Sequence, residues 1–276
     1  MDRSRGRITR EGIRIYEEAD FAGMRVAGTV AAEILDMLAP MVVPGVTTGE
    51  LDTFITEEIA RRGVVSATVG YKGYQHASCI SVNHVVCHGI PGAKVPGRPH
   101  DMLLAADIVN IDVTVIVDGW FGDTSRMYVV GTAKPFAERL LNVTHDALMR
   151  GIAVVKPGNT FGDIGYAIQS YVEANRMSVV RDFCGHGLGR VFHAPPNVLH
   201  YGRAGTGPVL EEGMFFTIEP MVNLGRPETK VLSDDWTAVT RDKSLSGQFE
   251  HTVGVTATGC EIFTASPAGK FHPTWG

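Results

Sequence analysis

Two β-branched segments joined by an Asp-Gly dipeptide constrain the fold of this chain more than any other feature. Residues 108–117 read Ile-Val-Asn-Ile-Asp-Val-Thr-Val-Ile-Val, and a second strand-like segment, 120–130, follows Asp118-Gly119. An Asp-Gly dipeptide between such segments is the strongest short hairpin signal, because both turn positions need a positive φ angle. We therefore predict an antiparallel hairpin in which residue 112 lies opposite 125 and residue 114 opposite 123.

Each strand of the predicted hairpin carries one aspartate among apolar residues, Asp112 in the first and Asp123 in the second. Because side chains alternate between the two faces of a strand, both carboxylates should lie on one face as diagonal neighbours, within about 8 Å. Two carboxylates on an apolar face are costly to desolvate unless a cation lies between them. A pair of solvated aspartates at the strand edge is the alternative that the hairpin alone leaves open.

Length and composition set limits on the class of protein. The 276 residues, 44% hydrophobic and 20% charged, suffice for one large domain or two small ones. A formal net charge of −5 provides no field that would hold nucleic acid or an anionic membrane. The N-terminus lacks the apolar segment of a signal peptide, and the four cysteines form no CxxC pair. We expect a cytoplasmic protein with reduced thiols, without nucleic-acid recognition or a membrane partner.

Hydrophobic periodicity predicts helices that alternate with strand-rich segments. The helices are expected over residues 11–39, 49–62 and 136–154, with a fourth that ends near residue 176. β-branched and aromatic residues predict extended segments over residues 77–82, 83–88, 214–218, 236–240 and 249–255. The chain therefore belongs to the α/β (α+β) class, with two helices next to each group of strands.

One helix start occurs twice in the chain. Residues 155–164 repeat the pattern of residues 42–51 at a constant offset of 113 (155−42), and Ile55 then matches Ile168 without a gap. Chance agreement of a common Pro-Gly helix start is the alternative to an internal duplication. A cleft where two related halves meet is a natural place for a site. We expect a single domain over residues 1–276. Its two halves are expected at roughly residues 20–130 and roughly residues 133–265.

Five acidic or imidazole side chains occur in apolar, strand-like contexts. Besides the two hairpin aspartates they are His186, Glu219 and Glu250. Such a donor set suits Mn, Fe, Co, Zn or Mg better than copper or an iron–sulfur cluster. Four carboxylates can neutralise two divalent ions, and two metal ions about 3.5–4 Å apart form a hydrolytic centre. Each residue also has a simpler interpretation, as a core histidine or as a strand-end carboxylate that reaches solvent.

Five sequence blocks are distinctive: residues 78–91 with Cys87-His-Gly-Ile-Pro, Asn110-Ile-Asp-Val through Gly122-Asp-Thr-Ser, Cys184-Gly-His-Gly-Leu-Gly, Phe216-Thr-Ile-Glu-Pro-Met and Gln248-Phe-Glu-His-Thr. They resemble the blocks of type I methionine aminopeptidases and occur in the same order, over about residues 8–265. The resemblance implies the pita-bread fold, an α/β sandwich of pseudo-two-fold duplicated halves with a curved antiparallel sheet covered by helices. His186 and Glu219 are 33 residues apart (219−186), too close for the helical insertion of type II enzymes. With no zinc-finger extension, the chain is similar to the short bacterial form.

The resemblance implies a metal centre built from the five residues already singled out. Asp112, Asp123 and Glu250 are expected to bridge or chelate two divalent ions, and His186 and Glu219 to bind one of them. The same ligands accept Co, Mn, Fe, Zn or Ni, so the ligand set leaves the metal undetermined. A monovalent cation near Asn83, Val85 and Ser246 is a further expectation from the family.

The resemblance also implies catalytic and substrate-binding residues. Glu219 is expected to shuttle a proton, His193 to donate to the oxyanion, and His88 to hydrogen-bond the scissile amide. The methionine side chain, unbranched and polarizable, requires a flexible apolar pocket in which Cys79 is a wall and not a nucleophile. Thr68 departs from the cysteine found at its position in many family members. The expected pocket residues are Thr68, Tyr71, Tyr74, Cys79, Phe192 and Trp236.

The implied function is removal of the initiator methionine from nascent proteins and peptides, by a monomer that acts near the ribosome. Another pita-bread metallopeptidase, such as an X-Pro dipeptidase or aminopeptidase P, would share the five ligands but has a long N-terminal domain. A non-catalytic relative used for binding is the third hypothesis, and such proteins usually lose metal ligands.

Overall fold

The computed structural model describes residues 6–270, so the predicted domain bounds 1–276 include short terminal segments that lie outside the described residues. The first helix was expected from residue 11 but begins at Glu18, because residues 14–15 pair with residues 7–8 in a short antiparallel ladder. The other predicted helices agree with the structure to within about two residues, a normal uncertainty for helix ends. The helices are α1 (Glu18–Leu38), α2 (Thr48–Arg61), α3 (Pro135–Ala153) and α4 (Phe161–Ala174).

Short strands make up most of the remaining regular structure, and every pairing between them is antiparallel. The strands of the first half are β1 (Arg7–Ile8), β2 (Arg14–Ile15), β3 (Val65–Ser66), β4 (Ser78–Val82), β5 (Val85–Cys87), β6 (Ile108–Val117) and β7 (Trp120–Val129). Those of the second half are β8 (Ser178–Val179), β9 (Gly185–Gly187), β10 (Ala194–Val198), β11 (Phe215–Ile218), β12 (Met221–Asn223), β13 (Thr229–Val231), β14 (Ala238–Thr240), β15 (Ser246–Gln248), β16 (His251–Val255) and β17 (Cys260–Ile262).

The β6–β7 hairpin forms in the predicted register. Asp112 lies opposite Ser125, and Thr114 lies opposite Asp123. Asp118 and Gly119 have φ angles of 48° and 80°, the left-handed conformations that a tight two-residue hairpin turn requires. The two carboxylate residues are therefore diagonal neighbours on one face, as the sequence predicted.

Two sheets and the short strands beside them bring the site together. One sheet has the order β3–β6–β4 with β7 paired to β6, and the other has the order β10–β9–β11–β16–β17. The smaller sheets β15–β12–β8 and β13–β14–β5 complete the arrangement. Because β7 also packs against β16, the hairpin of the first half meets the strands of the second half.

Helices α2 and α4 begin and end at residues that differ by 113 in number (161−48 and 174−61). Each starts with a capping box, in which Thr47 pairs with Glu50 and Thr160 pairs with Asp163. In a capping box the two side chains satisfy backbone N–H groups that the first helical turn leaves unpaired. These matched starts support the internal duplication, which stays a prediction.

The structure contains two large hydrophobic cores, each built mainly around the two helices of one half. One contains α1 and α2 packed on β4 and β6, and the other contains α3 and α4 packed on β11 and β16. The residues that match at the offset of 113 take equivalent places: Leu35 and Ile55 in the first core, Leu148 and Ile168 in the second. No helix within residues 6–270 is long and apolar enough to cross a membrane.

Candidate metal centre and active-site cavity

A cavity of about 640 Å³ lies where the two halves meet, and it collects residues predicted from separate parts of the sequence. The acidic and imidazole residues that line it are Glu11, His88, Asp112, Asp123, His186, His193, Glu219 and Glu250. The predicted pocket residues that line it are Thr68, Tyr71, Tyr74, Cys79, Phe192 and Trp236.

The hairpin supplies two carboxylates in different environments. Thr114 donates its hydroxyl proton to Asp123 Oδ1 at 2.6 Å, which fixes one oxygen and leaves the other directed at the cavity. Asp112 Oδ1 is buried and accepts no hydrogen bond from the described part of the chain. Burial and the negative charges of Asp123 and Glu219 raise the pKa of Asp112 well above its ordinary value. A cation bound here would relieve both the desolvation and the repulsion.

Strand β9 presents the imidazole of His186, which is 12% exposed. Its Nε2 lies 3.4 Å from Asp123 Oδ2 and 3.8 Å from Glu219 Oε1. Its Nδ1 lies 3.2 Å from the Gly187 carbonyl, which can only accept, so the neutral ring carries its proton on Nδ1 and directs the Nε2 lone pair at the carboxylates. Burial lowers the pKa of His186, but Asp123 and Glu219 outweigh burial and the net shift is upward.

Glu219 is held in position by three neighbours. Thr217 donates to its Oε1 at 2.7 Å, and Gln248 Nε2 donates to its Oε2 at 3.2 Å. Its backbone N–H donates to Nε2 of the buried His200 at 3.0 Å. Burial raises the pKa of Glu219 to about 7, with His186 acting in the opposite direction and Asp123 reinforcing the shift. A carboxyl group with a pKa near neutrality can both take up and release a proton.

Glu250 lies directly before β16 and is 3% exposed. Its backbone N–H donates to the Ser125 carbonyl at 3.1 Å, and its carbonyl accepts from the Thr124 hydroxyl at 2.7 Å. These bonds attach Glu250 to β7 beside Asp123. Burial, Asp123 and Glu219 raise the pKa of Glu250 well above its ordinary value.

The donor set fits a divalent cation. One ligand atom from each of Asp123, His186 and Glu250 lies within 4.8 Å of the other two. Carboxylate oxygens and an imidazole nitrogen are ligands for hard and borderline divalent metals. Buried carboxylates this close together repel one another, and a bound cation is the simplest way to compensate their charge.

Two further histidines face the cavity as neutral rings. The His193 ring lies 4.1 Å from that of His186, centroid to centroid, and stacks on Tyr71 at 5.2 Å. Burial and the neighbouring His186 lower the pKa of His193 to about 4. Burial and the Lys72 ammonium lower the pKa of His88 as well. Each ring therefore offers one N–H donor at neutral pH.

Aromatic side chains form the walls of the cavity. Tyr74 packs against Trp236 with ring centroids 4.8 Å apart, and its hydroxyl donates to the Ser78 carbonyl at 2.9 Å. Burial and the nearby Asp112 raise the pKa of the Cys79 thiol, so it stays protonated. A protonated, buried thiol is a poor nucleophile, and the role of Cys79 as a wall of a substrate pocket stays a prediction.

The three residues predicted for a monovalent cation do not line this cavity. Ser246 N–H donates to the Asn83 carbonyl at 2.9 Å, and the Asn83 side chain donates to Asp107 at 2.8 Å. Val85 lies in β5. The monovalent site stays a prediction.

The sequence interpretation missed the residues that orient the carboxylates, namely Thr114, Thr217, Gln248 and His200. Three of them stand two positions from a carboxylate residue in sequence, the spacing at which an extended segment puts two side chains on one face. Extending that rule from Asp112, Glu219 and Glu250 would have found them. His200 carried no such signal, because only the fold brings it to the Glu219 backbone.

Comparison with known proteins agrees with this geometry. Residues 22–257 match the metallopeptidase family M24. Over 265 residues the chain is 55% identical to the methionine aminopeptidase of Rickettsia prowazekii (strain Madrid E), covering 95% of this chain and 99% of that one. It is 52% identical over 254 residues to the methionine aminopeptidase of Escherichia coli (strain K12), covering 91% and 94%. The crystal structure of methionine aminopeptidase from Rickettsia prowazekii matches with a TM-score of 0.88 at 56% identity, covering 91% of this chain and 99% of that one.

Proposed function

Because the chain belongs to metallopeptidase family M24, we propose that it is a metal-dependent methionine aminopeptidase, which hydrolyses the peptide bond after an N-terminal methionine. The observation that carries the proposal is the convergence of Asp123, His186 and Glu250 ligand atoms within 4.8 Å inside an aromatic cavity. The identity of 55% over nearly the full length of a methionine aminopeptidase supports the substrate class.

Five side chains hold the metal ions in this proposal. Asp112, Asp123, His186, Glu219 and Glu250 would hold two divalent ions between them. The bound ions supply Lewis acidity and lower the pKa of water towards neutrality. Any of Co, Mn, Fe, Zn or Ni suits these ligands, and availability decides among them.

Glu219 is the proton carrier. Its carboxylate lines the cavity beside His186, where it can accept the proton of the attacking water and return it to the departing amine nitrogen. Thr217 and Gln248 hold the two carboxylate oxygens, so the group does not have to reorient between the two transfers.

The neutral histidines stabilise the reacting amide. His193 donates its N–H to the carbonyl oxygen as negative charge develops there, since a hydrogen-bond donor already held at that position favours the charge. His88 donates to the scissile amide region and orients the leaving nitrogen. Both roles require an uncharged imidazole that keeps one N–H.

The aromatic walls select the side chain. Tyr74, Trp236 and Phe192, with Cys79, Tyr71 and Thr68 beside them, enclose apolar space next to the carboxylates. An unbranched thioether adapts to such space, and sulfur makes favourable contacts with aromatic rings. The substrates in this proposal are the N-termini of nascent polypeptides near the ribosome, processed in the cytoplasm by a monomer of one catalytic domain.

A peptide-release assay tests the proposal. Protein loaded with Mn²⁺ or Co²⁺ is expected to release methionine from Met-Ala-Ser and to leave an Ala-Pro substrate intact, and a chelator should abolish release. Cleavage of the X-Pro bond in place of the methionyl bond would favour the prolidase alternative. If neither peptide is cleaved by protein with verified metal content, the binding-protein alternative replaces the enzyme.

A further inference from the structure

Acidic side chains outnumber basic ones in the lining of the cavity. Among the described residues that line it, Lys72 is the one lysine or arginine side chain, and it belongs to the exposed rim. The carboxylate residues that line the same cavity are Glu11, Asp112, Asp123, Glu219 and Glu250. Lys72 is therefore the basic side chain in this lining that is able to attract an anionic group of a substrate at the exposed rim.

The backbone holds Lys72 in an unusual conformation. Its φ and ψ angles are 48° and 30°, in the left-handed region that residues other than glycine and asparagine rarely adopt. Gly70 and Gly73 on either side also have positive φ angles. Thr68 braces the loop by donating its hydroxyl to the His76 carbonyl at 2.7 Å. Backbone strain that persists beside a site is a reason to look for a function of the residue that carries it.

The ammonium of Lys72 is free to bind a partner. Its Nζ lies 5.4 Å from the centroid of the Tyr71 ring, and that ring stacks on His193. In the part of the chain that the structure describes, Lys72 makes no ion pair with a carboxylate. The positive charge thus lies beside the residue proposed to contact the scissile carbonyl, on the side of the cavity that opens to solvent.

We propose that Lys72 binds a substrate carboxylate on the C-terminal side of the scissile bond. This inference rests on the proposed aminopeptidase function. When the methionine side chain occupies the space between Tyr74 and Trp236, the rest of the peptide has to leave through the open rim. The carboxylate belongs either to an acidic side chain a few residues after the methionine or to the C-terminus of a short peptide. Lys72 therefore determines a preference among substrates without contacting the reacting atoms.

Matched peptides test this preference. C-terminally amidated Met-Ala-Ser-Ser is compared with variants that carry Asp or Lys at the third or the fourth position, and with the free-acid form of the parent. For the wild-type protein, kcat/KM for at least one carboxylate-bearing peptide should exceed that of the amidated parent by about two- to five-fold, the range of an exposed ion pair. The advantage should shrink at high salt, because salt screens exposed charges.

Two variants separate Lys72 from the overall charge of the protein. K72M should lose the advantage of the carboxylate, measured as the ratio of kcat/KM for the carboxylate-bearing peptide to kcat/KM for the amidated parent. K72E should favour the Lys-containing peptides by the same measure. Lys156, exposed and outside the cavity lining, provides the control, and K156M should keep the wild-type preference.

The outcomes are distinguishable. An advantage confined to Asp peptides identifies a side-chain carboxylate as the ligand, and one confined to the free acid identifies the peptide C-terminus, and both support the inference. The same preference in K72M as in the wild type, or no preference in the wild type, overturns it while the proposed function stands. Absence of methionine release from every peptide by metal-loaded protein overturns the proposed function itself.

Discussion

Replacing Glu219 by glutamine should change how the stability of the metal-free protein depends on pH. In the folded protein the pKa of Glu219 is about 7, against 4.5 for an ordinary glutamate. The folded state therefore binds the Glu219 proton more tightly than the unfolded state does. Protonation of Glu219 stabilises the folded state fully below about pH 4.5, and this contribution is lost as the pH rises to about 7. At 1.36 kcal/mol per pH unit, this difference corresponds to about 3 kcal/mol of unfolding free energy.

The assay is urea unfolding in the presence of a chelator, at about pH 5 and about pH 8. Because other carboxyl groups also titrate, the quantity to compare is the difference in unfolding free energy between E219Q and the wild type. From about pH 5 to about pH 8, the unfolding free energy of E219Q should rise relative to that of the wild type by about 2–3 kcal/mol, since the neutral amide has no proton to lose. The control is E228Q, which removes an exposed carboxylate and should show no such change.

Adding metal provides a second test of the same reasoning. At a Mn²⁺ concentration about 100-fold above the dissociation constant, the wild type should gain about 2.7 kcal/mol, and E219Q should gain much less at that concentration because it lacks a ligand. The reasoning would be refuted if, in metal-free protein, E219Q and the wild type differed in unfolding free energy by the same amount at both pH values. Burial and repulsion would then not destabilise the ionised Glu219.

Three further outcomes are expected. G162A should destabilise the protein by more than about 1 kcal/mol in urea unfolding, because the new Cβ would clash with the backbone oxygens of Arg203 and Thr206. At Gly49, the matching position of the other half, the nearest atom to a new Cβ lies 3.4 Å away, so G49A should be neutral or slightly stabilising. Equal effects of the two substitutions would contradict this reasoning. D36A should cost about 3–5 kcal/mol in the same assay, because it leaves the buried Arg126 guanidinium without its partner at 2.6 Å, and a loss below about 1 kcal/mol would be inconsistent with a buried pair. H193A should lower kcat for Met-Ala-Ser about 10²–10³-fold, and an unchanged kcat would exclude the oxyanion role.

Local sequence patterns were sufficient for the elements whose physics is local. The Asp118-Gly119 turn set the hairpin register, because both positions adopt positive φ angles and strand alternation then places Asp112 and Asp123 on one face. The starts of α2 and α4 depend on equally local interactions, the capping boxes of Thr47 with Glu50 and of Thr160 with Asp163. The first helix is the exception, since residues 14–15 pair with a neighbouring strand and so delay its start to Glu18.

The C-terminal segment illustrates what local patterns do not reveal. Its sequence from Ser266 suggests a loosely held tail rich in proline and glycine, yet Ser266 donates to Asp36 at 2.7 Å and Ala268 N–H donates to the same carboxylate at 3.2 Å. Asp36 lies on α1, 230 residues earlier in the chain. A contact over that separation leaves no periodic signal near either residue.

The sequence by itself determined the donor types, their strand contexts and the face that the two hairpin aspartates share, because these depend on residues a few positions apart. Only the tertiary structure decided that His186, Glu219 and Glu250 meet that face, that His200 supports the Glu219 backbone, and that Lys72 is the single cation in the described cavity lining. Those distances depend on how two cores pack against each other, and the desolvation that shifts the carboxyl pKa values exists only once the halves have met.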